Sequence, residues 1–296
     1  MADFIDAIKH KYKTGDVLIK LIFINILVFL FIKITGIFLT LFKIGGFDIL
    51  AYLAVPSDPL ECVKHFWTPI TYMFVHEGFL HILFNLLWLY WFGRIFMQYF
   101  TGRTLRSLYI LGGLSGALLY IVAFNTIPYY IDMGNNWMIG ASASVMAIVM
   151  AAAFYRPDFR LNLFLLGRIK IIYIALFAFA LDFLSLDSVS NPGGHIAHIG
   201  GAVSGYIFAV QYKKGKDITL WVSKIIDKLA NLFKRKKSGK KKMKVSHRRF
   251  ESDSDYNYRK HKEQEEIDAI LDKLKKSGYN RLTEEEKRKL FNAGKK

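Results

Sequence analysis

Six long apolar stretches, at roughly 17–36, 79–98, 104–124, 138–155, 169–186 and 194–212, constrain this chain more than anything else in it. Each is close to the length of about 20 mostly apolar residues that a helix needs to cross a bilayer. The expected fold class is therefore all-α, a polytopic membrane protein built as a bundle of six transmembrane helices. The first stretch is the least clean, because Lys20 and Lys33 flank its apolar centre. Both side chains are long enough to snorkel to opposite interfaces. The second runs almost unbroken from Phe79 to Phe100, with Trp88, Tyr90 and Trp91 adding aromatic bulk.

Charge sorts the ends of these stretches. The chain is 53% hydrophobic yet carries a formal charge of +17. Those values conflict in a soluble domain and agree in a membrane protein with a charged tail. Residues 213–296 hold 27 Lys and Arg against 13 Asp and Glu, whereas residues 1–212 hold 14 against 11. The boundary falls near Lys213. Among the connections, Arg103 and Arg106 mark one, and Arg156, Arg160, Arg168 and Lys170 mark another. The loops at 125–136 and 185–194 contain no Lys or Arg. The positive-inside rule then places both termini in the cytoplasm, which requires an even number of spans. The long first loop, 37–78, is partly apolar and reads as a segment in the outer interface rather than a seventh span. The first apolar stretch is too long for the core of a cleavable signal and reads as a retained span. Cys62 is the only cysteine, so neither an intramolecular disulfide nor a multi-cysteine metal site is expected.

Polar groups inside a bilayer are costly and usually functional. Here they recur at one depth. His81 lies a few residues into the second span, Ser142 about four into the fourth and His198 about four into the sixth. All three spans run inward from the outer side, and four residues correspond to roughly 6 Å. Asn85 follows His81 by four residues and shares its helical face. Small residues crowd the fourth and sixth spans, and Gly201 and Gly205 form a GxxxG pair. Gly140, Gly201 and Gly205 are read as helix-packing positions that let the two helices approach closely. Hydrolysis needs a nucleophile, a base and oxyanion donors. Ser142, His198, and His81 with Asn85 supply one of each.

Blander readings compete at each position. Serine is common at helix interfaces, and Ser144, about 200° around the helix from Ser142, reads as packing. His195 precedes His198 by three residues and is a rival base. His76 either lines the mouth of the site or caps the second span. HEGFLH, at 76–81, is superficially like the zinc-protease HExxH, but its second histidine is at i+5 and points about 140° away. No metal is expected. Asp132 and Asp182 do not form the paired carboxylates of an aspartyl membrane protease, and Asp182 reads as a buried hydrogen-bonding partner or an interface residue.

These residues resemble the rhomboid intramembrane serine proteases over about 60–212. Three motifs carry the likeness, in the family's order: His76, His81 and Asn85 in HEGFLHILFN; Gly140, Ala141, Ser142 and Ala143 in GASA; and Ala197, His198 and Gly201 in AHIGG. The resemblance implies a six-span rhomboid-like bundle that cleaves transmembrane segments of other membrane proteins, without a cofactor, by a serine–histidine dyad. It implies Ser142 as nucleophile, His198 as base, and His81, Asn85 and the Ser142 backbone N–H as oxyanion donors. Ala143 stands where the family usually has glycine. Trp67 is followed by Thr68, where the family's first loop often carries Trp-Arg. The alternative within the superfamily is a non-catalytic protein that binds and escorts membrane helices; the presence of Ser142 and His198 argues against it.

Beyond Lys213 the chain changes character. Ile218, Trp221, Val222, Ile225, Leu229, Leu232 and Phe233 follow helical spacing, which predicts an amphipathic helix on the inner leaflet. KRKKSGKKKMK at 234–244 reads as a basic linker for anionic lipid head groups rather than nucleic acid. Residues 263–294 predict two short helices broken at Ser277-Gly278, with Thr283 and Glu286 as a capping box for the second. The appendage resembles tails of some bacterial rhomboids and implies a bacterial plasma membrane. The expected organisation is a cytoplasmic N-terminus (1–16), a six-span domain (17–212), an amphipathic helix with basic linker (213–262) and a small helical appendage (263–296).

Overall fold

The computed structural model describes residues 6, 10, 12, 14–46, 48–163, 167–188, 190–233 and 253–293. The basic run at 234–244 lies outside the described residues. Two compact units divide at Arg235 and Lys236.

In the first unit all six apolar stretches form helices: α1 (Val17–Leu41), α2 (Phe79–Phe96), α3 (Gly102–Thr126), α4 (Ser142–Tyr155), α5 (Ile171–Leu184) and α6 (Pro192–Lys213). A further helix, α7 (Leu220–Phe233), closes the unit. Among the described residues, only α1, α2 and α3 are both long and apolar enough to qualify as membrane crossings on their own. Helices α4 and α5 have 14 residues each, about 21 Å at 1.5 Å per residue. Both start later than the apolar pattern predicts. Gly140 holds φ at +126°, outside the helical region, and its N–H is spent on Tyr72 O at 3.0 Å. Residues 167–170 are taken by a hairpin, β3 (Arg160–Leu163) with β4 (Gly167–Lys170). The basic residues of that connection alternate with Leu161 and Ile169, a two-residue period that suits a strand. A second small pairing joins β1 (Val55–Pro56) to β2 (Trp137–Met138). The chain is mostly helical, as expected, with two short antiparallel pairs added in the loops.

The core lies where α3, α4 and α6 meet. Residues 143–153 of α4 are buried without a break. A helix apolar all round is one enclosed on all sides, and SASVMAIVMAAA has that pattern. The first loop is not a span. It forms short helices at Ile49–Leu53, Pro59–Lys64 and Thr68–Thr71 and one 3₁₀ turn at Tyr72–Phe74. Trp67 Nε1 donates to Tyr52 O at 2.8 Å and Thr71 Oγ1 to Leu53 O at 2.9 Å. Tyr72 OH donates to Gly113 O at 2.6 Å, and Tyr109 OH to Met73 O at 2.8 Å. The first two bonds brace the loop internally, and the last two anchor it to α3. Leu60, Val63 and Phe66 remain exposed on it.

Helix α7 docks on α3 by its polar side. Ser107 and Ser223 share a buried hydrogen bond of 2.6 Å, and Asp227 is clamped by Arg106 at 2.8 Å and by Arg103. Trp221, Ile225, Leu229 and Leu232 point outward instead. The predicted apolar stripe is therefore split, with Val222 buried against the protein. Hydrogen bonding to Arg106, with the nearby charge of Arg103, holds the Asp227 carboxyl below its ordinary value. A group depressed in the folded state contributes stability above its unfolded pKa and loses it as pH falls through the folded one. The clamp is therefore expected intact at neutral pH and weakened below about pH 4, the ordinary Asp range. Trp221 fluorescence should report the release of α7, and Asp227→Asn should remove the pH step.

The second unit holds α8 (Asp253–Ser277) and α9 (Glu284–Ala293). The first is longer than predicted, because residues 253–262 are polar and give no apolar period to read. Gly278, at φ +75°, ends it where expected. The capping box forms in both directions: Glu286 N–H donates to Thr283 Oγ1 at 3.3 Å, and Thr283 N–H donates to Glu286 Oε2 at 2.7 Å. Lys273–Glu286 and Lys289–Glu266 pair the two helices, each at 2.8 Å.

Candidate active site

A cavity of about 440 Å³ opens between α2, α4, α5 and α6. Ser142, His198, His81, Asn85 and Asp182 all line it. Four of the five were picked out from the sequence as one reactive set; they come together from three helices.

Ser142 is the first residue of α4, not four residues inside it. That start is set by Gly140. A β-carbon at Gly140 would sit 3.0 Å from His81 Nε2 and 3.5 Å from Ser142 Oγ. Its positive φ and this crowding both favour glycine. Gly140 is therefore a turn residue between serine and histidine, which corrects its reading as a helix-packing position. The first intrahelical bond in this turn runs from Val145 N–H to Ala141 O at 2.9 Å. The N–H groups of the first helical turn, Ser142's among them, have no intrahelical acceptor. They sit at the positive end of the α4 dipole.

Gly201 and Gly205 do pack helices. A β-carbon on Gly201 would overlap Ala143 O, and one on Gly205 would overlap Ala147 O. From the other side, a β-carbon on Gly116 would lie 2.7 Å from Ala143 Cβ. The Ala143 methyl is thus buried towards α3, away from the cavity, in space that Gly116 leaves open. Ser144 is fully buried outside the cavity lining, as a packing residue would be.

Asn85 Nδ2 donates to His81 O at 2.9 Å, one turn back, and keeps its second amide hydrogen. His76 is fully buried, with Nδ1 near Phe74 O at 3.3 Å and its ring centroid 5.1 Å from that of His81. It does not line the cavity that Ser142 and His198 share. The reading of His76 at the site mouth is corrected: its ring is fully buried and packs against that of His81.

The residue whose role the sequence understated is Asp182, on α5. One of its oxygens lies 2.7 Å from His198 Nδ1 and 2.9 Å from His195 Nδ1. His195 is therefore tied to the carboxylate rather than free at the interface. The opposite nitrogen of His198, Nε2, is buried and carries no hydrogen bond among the described residues. The Ser142–His198 bond expected of a dyad is not closed in this state, as is common before substrate binds. Asp182, His195 and His198 bring one oxygen and two ring nitrogens within 4.8 Å of one another. The Nδ1 atoms of both histidines and one Asp182 oxygen are already used in hydrogen bonding among themselves. A carboxylate inside an apolar helix, at a cost only partners can offset, was the signal available in the sequence.

The sequence matches the Rhomboid domain over residues 63–214, half of the chain. The chain belongs to the rhomboid family. It is 28% identical over 158 residues to RHOMBOID-like protein 12, mitochondrial, of Arabidopsis thaliana, covering 50% of this chain and 47% of that protein. It is 29% identical over 154 residues to Rhomboid-related protein 1 of Caenorhabditis elegans, covering 48% of this chain and 38% of that protein. The chain thus spans less than half the length of either relative. Residues 251–296 match a family of unknown function, DUF6576. That match begins two residues before α8 and runs to the end of the chain. The rhomboid match and the apolar helices make this a helical membrane protein.

Proposed function

We propose that this protein is a six-span intramembrane serine endopeptidase that cuts transmembrane segments of other membrane proteins. The observation that carries the reading is the convergence of Ser142, His198, His81 and Asn85 on one cavity inside an apolar bundle. Leu80, Phe84 and Trp88 of α2 and Ala178 and Leu181 of α5 line the same cavity with apolar surface, which suits a helical substrate arriving from lipid. The 14-residue α4, which opens at Ser142, suits a nucleophile held below the membrane surface.

In the proposed reaction Ser142 Oγ attacks the scissile carbonyl carbon while its proton passes to His198 Nε2. The carbonyl oxygen becomes an oxyanion, held by the Ser142 backbone N–H, His81 and the free amide hydrogen of Asn85. Collapse breaks the C–N bond, and His198 returns the proton to the departing amine. Water, deprotonated by the same nitrogen, then frees the acyl group from Ser142. The basic loops and tail orient both termini to the cytoplasm, in a bacterial plasma membrane. The outward apolar face of α7 suits contact with the inner leaflet, where anionic lipids would favour the basic segment beyond it.

Asn85→Ala is expected to lower kcat about 10²–10³-fold with little change in KM, the usual cost of one lost oxyanion donor. Steady-state cleavage of a single-span substrate in proteoliposomes checks this. The reading itself is tested by covalent labelling with a serine-directed phosphonate. Wild type should be labelled on Ser142 and Ser142→Ala should not. An unlabelled wild type that still binds transmembrane peptides would favour the helix-escorting alternative.

A further inference from the structure

The geometry points to Asp182 as a positioning residue that fixes the orientation and tautomer of His198. This rests on His198 being the base, as proposed above. An ionised carboxylate only accepts hydrogen bonds. Its oxygen meets the Nδ1 atoms of both His198 and His195 at hydrogen-bonding distance. Each neutral ring must therefore carry its proton on Nδ1. The lone pair of His198 is then on Nε2, at the far side of the ring from α5. That nitrogen is the buried one without a partner among the described residues, and His198 shares the cavity with Ser142. A buried carboxylate with two charge-assisted bonds fixes ring orientation and tautomer together, and steadies the imidazolium that forms when Ser142 gives up its proton.

The resemblance implies a dyad with no acid. Here α5 supplies the acid from a position 16 residues before His198 in the chain. Asp182 from α5 meets the Nδ1 atoms of His198 and of His195 one turn earlier on the same helix, and Ser142 from α4, His81 and Asn85 from α2 and Asn191 line the cavity that His198 shares. Only Asp182 can accept from Nδ1 as an anion. His195 takes a share of the same oxygen at 2.9 Å and so helps hold the carboxylate in place.

The experiment compares wild type, Asp182→Ala, Asp182→Asn, Asp182→Glu and His195→Ala, full length in proteoliposomes. Cleavage kinetics and phosphonate labelling are read alongside ¹⁵N NMR of the histidine rings in detergent. Asp182→Ala and Asp182→Asn should lose at least about tenfold in kcat and in labelling rate, with KM within threefold of wild type. Asp182→Glu should recover part of the loss, and His195→Ala should lose less than Asp182→Ala. In wild type the His198 signal should report protonated Nδ1 and unprotonated Nε2, and that preference should vanish in Asp182→Ala. A loss under tenfold, a loss carried by KM, or an unchanged His198 tautomer in Asp182→Ala would overturn the proposal. Failure of the protease reading looks different: wild type itself would neither cleave nor label, while the tautomer measurement would still decide whether Asp182 orients His198.

Discussion

Ser142→Ala and His198→Ala are each expected to abolish cleavage of a single-span substrate, with losses on the order of 10⁶ in kcat, as when a nucleophile or its base is removed from a serine protease. The double variant should be no worse than either single one, because the two groups act as a unit in the proposed mechanism. Folding should survive both changes. Ser142 sits at the start of α4 on the cavity wall, and His198 also borders empty volume, so neither truncation opens a new cavity in the packed core, and His195 still partners Asp182 when His198 is removed. Ser144→Ala is the internal control. Its hydroxyl is buried and has no hydrogen-bond partner among the described residues, so removing it should leave cleavage within a few-fold of wild type. A Ser142→Ala protein that cuts at the wild-type rate would place the nucleophile elsewhere.

Gly201→Ala carries the second large effect, and through packing rather than chemistry. Its β-carbon would overlap the carbonyl oxygen of Ala143, a backbone atom that no rotamer change can move aside. Helices α4 and α6 would have to separate at the contact that brings Ser142 and His198 to one cavity. Overpacking of this kind costs about 1–3 kcal/mol, occasionally more. Activity should fall with stability, because catalytic geometry tolerates little displacement. Gly36→Ala provides the contrast. Gly36 lies inside α1, and a methyl group there would have nothing within 4 Å of it. Alanine at that position should be neutral or gain up to about 1 kcal/mol in helix propensity. Thermal unfolding in detergent would rank the two. Equal Tm values would mean that the α4–α6 contact is looser than its geometry indicates.

Much of this molecule could be read from one dimension. Lipid imposes a length and a polarity on each crossing helix, so six helices were legible as six apolar stretches. A charged or hydrogen-bonding group inside such a stretch stands out because lipid makes it costly, and Ser142, His198, His81 and Asn85 stood out in that way. The capping box at Thr283 and Glu286 was legible because it is local, complete within four residues. Whatever depended on neighbours distant in the chain was not. Gly140 looked like one more small residue beside a serine; only its bond to Tyr72 and the nearness of His81 make it a turn that starts α4 at Ser142. His76 shares a motif with His81, yet its ring is fully buried and lies outside the cavity that His81 lines. Helix α7 had one apolar stripe by periodicity but two working faces in the fold, because Asp227 and Ser223 found partners about 120 residues earlier in the chain. Asp182 is the sharpest case. In the sequence it is a lone acid among Phe, Ala and Leu, and its significance rests on two hydrogen bonds to the next helix. By itself the sequence marked which residues could carry the proposed chemistry, as polar groups inside apolar stretches. The tertiary structure decided which nitrogen of His198 meets Asp182 and which has no partner among the described residues, because that depends on a contact between α5 and α6 that no local pattern encodes.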